Sequence, residues 1–356
     1  MAVGPDGALP LPWLAEPLAQ VLSAQRGHAL LVHAPPGLGA LEFGLTLAQA
    51  WLCEAAPALR SSGPCGRCGS CHLLQTHVHP DLVVLLPEVL RREHGWPLSS
   101  DKTEGDDSKR KPSKQIRIDE VRQLIDWSTK TSARGRGKVA FVHPADALNP
   151  QAANALLKTL EEPPPGTRLV LTTADPALLL PTVRSRCQHL RLALPTPEVA
   201  AAWLAGQGVN GAGDAQTLLA ACSGRPLDAL LLAQAGVDAA AWSALPNAVA
   251  QGHAGALAGW PVPRALDALQ KICHDALWRA AGGSPRFFAA ERVPAHGSPA
   301  ALAAWSLELT RVARHDGHPW NEGLLLDALI AQGAAAMQAA PGPAPARRRG
   351  LDTLPA

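Results

Sequence analysis

Tyrosine is absent from this 356-residue sequence, and aromatic residues make up only 4% of it. Because alanine and proline are abundant, we interpret this as a bias in base composition and draw no function from it. A strong excess of one charge is also absent, since 32 Lys and Arg face 30 Asp and Glu, a formal net charge of +2. A broad basic surface for nucleic acid is therefore not expected. Any contact with DNA should be local or shared with other proteins.

Long apolar runs are missing as well. No stretch approaches the roughly 20 residues that a membrane-spanning helix needs. Residues 1–14 lack the basic start and apolar core of a secretory signal peptide. The seven cysteines are an odd number, and four of them cluster at the spacing of metal ligands. This usage predicts a reducing cytoplasm rather than a disulfide framework. A chain of this length has room for two or three domains and a sizeable core.

Residues 138–187 alternate between strand and helix patterns. The continuous apolar run 139–142 is typical of a strand buried on both faces of a parallel sheet. Asn149, followed by a proline, predicts a helix start, and the proline run 163–165 ends that helix. Residues 169–171 predict a second buried strand, after which a further helical stretch follows. This alternation predicts a parallel α/β sheet with right-handed crossovers.

Three more strands are predicted at residues 29–33, 82–86 and 189–194. The last of them alternates polar and apolar residues and should lie near the sheet edge. A short helix should precede the first strand, and an apolar helix ending at Leu52 should follow it. Asp119 is the predicted N-cap of another helix, ahead of the central alternating stretch.

Three motifs in the central stretch carry a family resemblance. Residues 154–164 read NALLKTLEEPP, residues 172–173 are a pair of threonines, and residues 185–187 read SRC. Together they resemble bacterial clamp-loader subunits of the AAA+ family, which open the ring-shaped sliding clamp and place it on primed DNA. The resemblance covers roughly residues 12–335.

The resemblance implies three domains. Residues 1–194 should form an AAA+ nucleotide-binding-like domain, with a P-loop-type parallel sheet and helices on both faces. Residues 195–248 should form a small helical lid, and residues 249–337 a C-terminal helical collar that serves oligomerisation. In the collar, Trp278 and Trp305 are expected on packing faces.

Two segments lack the patterns of folded structure. Residues 88–114 are polar, mixed in charge and without apolar periodicity, which predicts a flexible insertion. Residues 338–356, rich in Pro, Ala and Arg, predict a disordered tail. The basic residues 109–111 and 134–138 are open to two interpretations, a nucleic-acid contact or a solvated loop.

A glycine-rich segment, residues 34–41, lies between the first strand and its helix, where a phosphate-binding loop belongs. A working loop needs a lysine for the terminal phosphates and a Ser or Thr for magnesium, yet these positions hold Ala40 and Leu41. Gly37 and Gly39 remain. The segment is therefore predicted to be a degenerate phosphate loop, with a plain tight turn as the alternative. It would bind a nucleotide weakly at most and would not support hydrolysis.

The second half of a nucleotide site is altered as well. Working relatives carry Asp-Glu at the end of the strand before the helix motif, for magnesium and for activating water. Here those positions are His143 and Pro144, which cannot replace a carboxylate pair. His143 is interpreted as a satisfied polar residue. In the lid, the position of the nucleotide-sensing arginine is Leu227, with Arg225 two residues earlier, so sensing from the lid is not expected.

Four cysteines have the spacing of a metal site: Cys53, Cys65, Cys68 and Cys71. Thiolates two residues apart in a glycine-containing turn can converge on one tetrahedral ion. Four protein ligands leave no open position, so a structural zinc is predicted, in a module of residues 53–71 that the family shares. Three histidines are alternative ligands: His72, His77 and His79. A further alternative is that the four cysteines are free thiols. The other cysteines are expected to be buried apolar residues: Cys187, Cys222 and Cys273.

The resemblance also implies a role for Arg186, with Ser185 beside it. In this family the arginine of the SRC motif resembles an arginine finger that reaches in trans into the ATP site of the neighbouring subunit. A guanidinium suits that task because its planar fork meets phosphate oxygens and stays charged. The alternatives are a structural arginine that closes a helix, or Arg184 as the finger.

The resemblance and the degenerate site together imply a subunit that helps to load the sliding clamp during DNA replication without hydrolysing ATP. Its expected partners are clamp-loader subunits of the gamma/tau and delta types, with the clamp and primer-template DNA contacted through the complex. It would belong to a DNA-directed DNA polymerase holoenzyme in the cytoplasm, with zinc as cofactor and no membrane partner. The alternatives are a catalytic gamma/tau-type ATPase subunit and a zinc-stabilised nucleic-acid-binding protein outside replication.

Overall fold

The computed structural model describes residues 3–24, 27–56, 63–97, 111–209, 211–294, 297–314 and 321–340. The chain forms two compact units. One consists of Met1–Trp203 with Arg225–Asp228, and the other of Leu204–Gly224 with Ala229–Ala356.

The first unit is built on a five-stranded sheet. In chain order its strands are β1 (Ala29–His33), β2 (Leu82–Leu85), β3 (Lys138–Val142), β4 (Thr167–Thr173) and β5 (Gln188–Arg191). Their order across the sheet is β2-β3-β4-β1-β5, and every neighbouring pair is parallel. The predicted parallel α/β sheet is therefore confirmed, and β5 lies at an edge as its alternating pattern predicted.

Helices cover both faces of this sheet. They are α1 (Ala15–Ala24), α2 (Ala40–Leu52), α3 (Gly69–Gln75), α4 (Glu88–Glu93), α5 (Ile118–Thr129), α6 (Pro150–Glu161), α7 (Pro181–Arg184) and α8 (Pro197–Gly206). On β3, Val139 and Phe141 join a core with α1 and α2. Ala140 and Val142 join a second core with α5 and α6 on the opposite face. This two-sided burial explains why β3 has a continuous apolar sequence.

Two helix starts in this unit can be compared with their predicted caps. Asn149 caps α6, since its side-chain oxygen accepts the Ala152 N–H at 2.8 Å, as predicted. The cap predicted at Asp119 is wrong, because α5 already begins at Ile118. Glu120 reaches back instead and accepts the N–H of Arg117 at 2.9 Å, so a third-position glutamate fixes this helix start.

The segment predicted as a flexible insertion, residues 88–114, begins and ends with ordered structure. Its first residues form α4, where Glu88 is buried and accepts the Ser113 N–H at 3.1 Å. The Arg91 guanidinium donates to three carbonyl oxygens: those of Leu86 (2.9 Å), Pro97 (3.0 Å) and Val84 (3.3 Å). Residues 98–110, which include most of the basic run, lie outside the described residues.

The second unit is helical. Its further helices are α9 (Ala212–Ala221), α10 (Pro226–Gln234, whose first three residues belong to the first unit), α11 (Ala239–Ala250), α12 (Val262–Ala280), α13 (Pro299–Ala313) and α14 (Glu322–Gln338). α11 contacts both α9 and α14, while α12, α13 and α14 all contact one another. The boundary predicted between lid and collar, 248–249, falls within α11. The predicted tail from residue 341 onward lies outside the described residues. In the described chain, no helix is both long and apolar enough to cross a membrane.

The two tryptophans that were expected on packing faces differ in their surroundings. Trp305 is buried as predicted, and its Nε1 donates to the Leu329 carbonyl at 3.0 Å. It packs so closely on α14 that a Cβ added to Gly333 would lie 2.5 Å from its ring. The packing predicted for Trp278 is wrong, because 52% of this residue is exposed. Its Nε1 donates at 2.9 Å to the His274 ring one turn earlier. The three cysteines outside the cluster are buried, as predicted: Cys187, Cys222 and Cys273.

Candidate functional sites

The four predicted metal ligands converge at one end of α2. Cys53 follows the last residue of α2, Cys65 lies in the turn before α3, and Cys68 is the N-cap of α3 with Cys71 in its first turn. Their sulfur atoms all lie within 4.8 Å of one another. The Cys53–Cys68 and Cys65–Cys71 pairs are each 3.9 Å apart. Sulfurs at 2.3 Å from a tetrahedral zinc would be about 3.8 Å apart, so this donor set fits a closed four-thiolate zinc site.

The alternative histidine ligands lie outside this cluster. His79 is buried, with Nε2 3.1 Å from Ser70 Oγ, and its Nδ1 accepts the Asp81 N–H at 3.0 Å. His77 stacks on Trp96 with ring centroids 4.0 Å apart. Among the described residues, the metal-binding cluster therefore consists of the four cysteines.

The thiols differ in their electrostatic surroundings. Burial raises the pKa of Cys53 and of Cys71. Burial acts in the same direction on Cys65, but the N–H groups of Arg67 and Cys68 outweigh it and lower the Cys65 pKa to about 7. The N–H groups of Cys65 and Cys71 lie 3.5 Å from the sulfurs of Cys53 and Cys68 respectively. Amide donors stabilise thiolate, the form that binds metal.

A polar network joins the cysteine module to the sheet. Arg134 Nη2 lies 2.6 Å from Glu54 Oε1, and its Nε donates to Ser70 Oγ at 3.0 Å. Asp81, directly before β2, accepts three hydrogen bonds from the loop between α5 and β3: from Ser132 Oγ (2.9 Å), Ala133 N (2.7 Å) and Arg134 N (2.8 Å). Burial raises the pKa of Asp81, but these donors lower it overall. In the basic turn 134–138, Arg134 is therefore committed to contacts within the chain.

The two glycines of the predicted phosphate loop both adopt positive φ angles. Gly37 and Gly39 have φ values of 78° and 88°, a left-handed conformation that side chains disfavour. Leu38 is buried between them, and its carbonyl accepts the Trp13 Nε1–H at 2.9 Å. Gly39 is the N-cap of α2, whose first turn then begins with alanine and leucine. The segment thus has its two positive-φ glycines, but it lacks the ammonium and hydroxyl groups that phosphate and magnesium require.

A carboxylate lies against this loop. A Cβ added to Gly37 would be 2.5 Å from Asp228 Oδ1. Leu227, in the sensor position, donates its N–H to the Gly37 carbonyl at 3.2 Å. Arg225 Nε lies 2.6 Å from Asp228 Oδ2 in an ion pair that is not aligned as a hydrogen bond. The arginine nearest the sensor position is therefore engaged by Asp228.

The strand end that would carry the magnesium-binding acids holds a half-buried imidazole. His143 Nδ1 lies 2.6 Å from Thr172 Oγ1 on β4. Burial lowers the pKa of His143 to about 4, so the ring is neutral at pH 7. Pro144 follows it. These two residues supply no carboxylate, and the interpretation of His143 as a satisfied polar residue agrees with its contact.

Arg186 lies on the surface of the first unit, just after α7, with 30% of its side chain exposed. Its Nε donates to Glu161 Oε1 at 2.6 Å, and Nη2 contacts the same oxygen. Its Nη1 donates to the Thr182 carbonyl at 2.9 Å. The guanidinium is therefore held at the C-terminal end of α6.

The two residues before Arg186, Ser185 and Arg184, also make hydrogen bonds to backbone carbonyls nearby. Ser185 Oγ lies 3.5 Å from Arg186 Nη1 and donates to the Thr182 carbonyl at 3.2 Å. Arg184, the alternative finger, donates to the Pro176 carbonyl at 3.4 Å.

Comparison with known proteins identifies the family. A family model described as DNA polymerase III, delta subunit, matches residues 14–196, just over half of the chain. The chain belongs to this family.

Curated relatives agree with that assignment. The DNA polymerase III subunit delta′ of Pseudomonas aeruginosa is 37% identical over 60% of this chain and 58% of its own length. That of Haemophilus influenzae is 36% identical over 63% of this chain and 62% of its own length. The gamma/tau subunit of Mycobacterium tuberculosis is more distant, at 30% identity over 53% of this chain and 28% of that protein.

These matches confirm the predicted resemblance to the clamp-loader family and favour the delta′ type within it. The aligned part spans about three-fifths of the two delta′ relatives. A gamma-subunit-related protein of Thermotoga maritima has a TM-score of 0.44 at 16% identity, covering 91% of this chain and 100% of that one. A match at that level has no bearing on function.

Sequence reasoning missed two partners of the predicted site residues. Glu161 is the acidic partner of Arg186 and lies within the NALLKTLEEPP motif, but the motif did not indicate which residue it would face. Asp228 lies far from the glycine-rich segment in sequence, and only the fold brings it to Gly37.

Proposed function

We propose that this chain is a delta′-type clamp-loader subunit that does not hydrolyse ATP and that supplies Arg186 in trans to a neighbouring ATPase subunit. It works in the cytoplasm during DNA replication, in a hetero-oligomer with gamma/tau-type and delta-type subunits. The sliding clamp and primer-template DNA are contacted through that complex. Zinc held by the cysteine cluster stabilises the first unit and takes no part in the chemistry.

Four substituted positions support the absence of hydrolysis. Ala40 and Leu41 lack the ammonium and hydroxyl groups that phosphate and magnesium need, and His143 and Pro144 lack the acids. Because the missing groups come from two separated motifs, no single change would restore a working site.

The residues around the glycine-rich segment also argue against a working ATP site. Asp228 places a carboxylate beside Gly37, where a phosphate chain would approach. Like charges repel, and a partly buried loop screens that repulsion poorly. The ion pair with Arg225 offsets part of that charge, but it also engages the arginine that lies nearest the loop. The loop is therefore unfavourable for a nucleotide as well as unable to hydrolyse one.

The observation that carries the proposal is that Arg186 is present and that its side chain is partly exposed. The chain lacks the groups for its own ATP site, yet this arginine is present, partly exposed and not buried as a structural residue. A guanidinium at the surface can extend to phosphate oxygens of another subunit, where arginine fingers are worth about 10³ to 10⁵ in rate. Only one of several sites in the assembly would be affected here.

The second unit is proposed to hold the chain in the assembly. Leu307 on α13 and Leu324 at the start of α14 are 74% and 68% exposed. Exposed leucines on a helical unit are compatible with burial against partner subunits. Mixing the full chain with the other loader subunits and sizing the product tests this assembly.

The decisive experiment combines ATP turnover with reconstitution. The isolated chain should show no ATP hydrolysis. In the reconstituted complex, Arg186→Ala should lower the hydrolysis stimulated by DNA and clamp while leaving zinc content, melting and assembly unchanged. Steady hydrolysis by the isolated chain would favour the gamma/tau-type alternative. Wild-type turnover by the Arg186→Ala complex would refute the role in trans.

A further inference from the structure

Arg186 is held by a carboxylate from a different helix. Glu161 is the last residue of α6, and 25 residues separate it from the arginine in sequence. Both Nε and Nη2 of Arg186 meet the same oxygen, Glu161 Oε1. The contact is therefore a property of the fold and not of the local chain.

The geometry divides the guanidinium into a used and an available edge. A guanidinium has one two-pronged edge formed by Nε and Nη2 and another formed by Nη1 and Nη2. Glu161 takes the first edge. Nη1 donates to the Thr182 carbonyl and makes a long contact of 3.5 Å with Ser185 Oγ, while Nη2 keeps a second N–H. The terminal edge therefore offers a phosphate group the second N–H of Nη2 and, in place of the long contact with Ser185, an N–H of Nη1.

We propose that Glu161 is a positioning residue that orients Arg186 so that its terminal edge faces a neighbouring subunit's ATP. This inference rests on the proposed role of Arg186 in trans. A long side chain held in one orientation loses less conformational freedom when it meets the transferring phosphate. Glu161 acts only through Arg186 and does not itself contact the nucleotide.

The charge of Glu161 does not cancel that of the finger. Its side chain is 48% exposed, so water and salt screen the carboxylate. The orientation of the planar guanidinium is set by the two donors, Nε and Nη2, that meet the same oxygen of Glu161. Glu162, the next residue, offers a matched comparison. It has the same charge as Glu161, but in the described part of the chain the ion pair of Arg186 is with Glu161.

The test uses the full-length chain in the reconstituted complex. Glu161→Gln should lower ATP turnover at saturating ATP about threefold to fivefold. This factor corresponds to losing the free energy of one exposed ion pair from the stabilisation of the transition state. The KM for ATP should change little, because the contact between Arg186 and the transferring phosphate forms in the transition state. Glu162→Gln should turn over at the wild-type rate, and all variants should keep wild-type zinc content, melting and assembly.

A double variant separates positioning from a structural role. If Glu161 acts through Arg186, then Glu161→Gln should have no further effect in the Arg186→Ala background. An equal loss in both backgrounds would overturn the inference, as would wild-type or increased turnover by Glu161→Gln alone. These outcomes differ from failure of the proposed function, in which Arg186→Ala itself has no effect and the inference fails with it.

Discussion

His143 and Thr172 join two neighbouring strands through one hydrogen bond, with 2.6 Å between the imidazole Nδ1 and the hydroxyl Oγ1. The two residues directly follow the paired positions Val142 and Leu171 of β3 and β4. The contact lies where working relatives place magnesium-binding acids. A neutral ring with a hydroxyl partner satisfies the strand end without any metal.

The first prediction concerns acid stability. The pKa of His143 falls from 6.5 to about 4 on burial, so the unfolded chain binds more protons between these values. Stability is therefore lost as pH falls through this window, by about 2–3 kcal/mol from this residue between pH 7 and 4.5. Urea unfolding at both pH values should show a smaller loss for His143→Gln than for wild type. His253→Gln, at an exposed position, should keep the full loss. Equal losses in wild type and His143→Gln would contradict this origin.

The second prediction concerns the phosphate loop. Ala40→Lys with Leu41→Thr restores two phosphate-site groups, but Asp228 still faces Gly37. Adding Asp228→Ala should tighten ATP binding about tenfold, because it removes a carboxylate beside the loop and releases Arg225 from its ion pair. None of these variants should hydrolyse ATP, because His143 and Pro144 still cannot hold magnesium. Calorimetric titration measures the binding, with Asp126→Ala at an exposed site as the matched control. No change on adding Asp228→Ala would show that the carboxylate is irrelevant.

The third prediction concerns zinc. Protein purified without added metal should contain about one zinc per chain, because four thiolates make a closed tetrahedral site. Cys68→Ser should lose the metal and melt at a lower temperature, since metal binding is coupled to folding. Cys222→Ser, outside the cluster, should keep its zinc whatever its own effect on packing. A metal-free wild-type chain that melts normally would rule the site out.

The fourth prediction concerns the second unit. Asp275 on α12 is fully buried, and its carboxylate accepts three N–H groups from the following loop: those of Arg286 (2.9 Å), Phe287 (2.8 Å) and Phe288 (3.0 Å). Asp275→Asn should cost about 2–3 kcal/mol, because an amide turns one acceptor into a donor that faces these groups. Asp267→Asn, on the same helix with a half-exposed side chain, should cost about 0.5 kcal/mol or less. Urea unfolding of the full chain measures both, and equal costs would show that the buried contacts do not matter.

The sheet was predictable because its strands carry local signals. Continuous apolar runs mark β3 and β4, and alternation marks the edge strand β5, so pattern and position agree. The cysteine cluster was predictable from the close spacing of three of its members within residues 65–71, whereas Cys53 was chosen over the histidines on the family resemblance. Helix caps were less certain, because Asp119 and Glu120 are adjacent and either can supply the oxygen that meets the backbone N–H.

Contacts between distant segments were not predictable. Neither Glu161 nor Asp228 carries a local signal that names its partner, since both lie on helices with other acidic or polar residues nearby. The exposure of Trp278 was missed because helical spacing identifies a face of α12 but not what covers it. Such features depend on how elements pack, which a single sequence does not reveal.

The fifth prediction concerns the chemistry of the finger. Arg186→Lys keeps the positive charge, but an ammonium is a point charge without a planar fork. Lysine cannot hold Glu161 on one edge and present two donors on another, as the guanidinium can. ATP turnover by the reconstituted complex, stimulated by DNA and clamp, should therefore be as low with Arg186→Lys as with Arg186→Ala. Arg184→Lys is the matched control, and it should retain wild-type turnover if Arg184 is not the finger. Recovery of wild-type turnover by Arg186→Lys would mean that charge alone suffices at this position and that the two-edged geometry has no role.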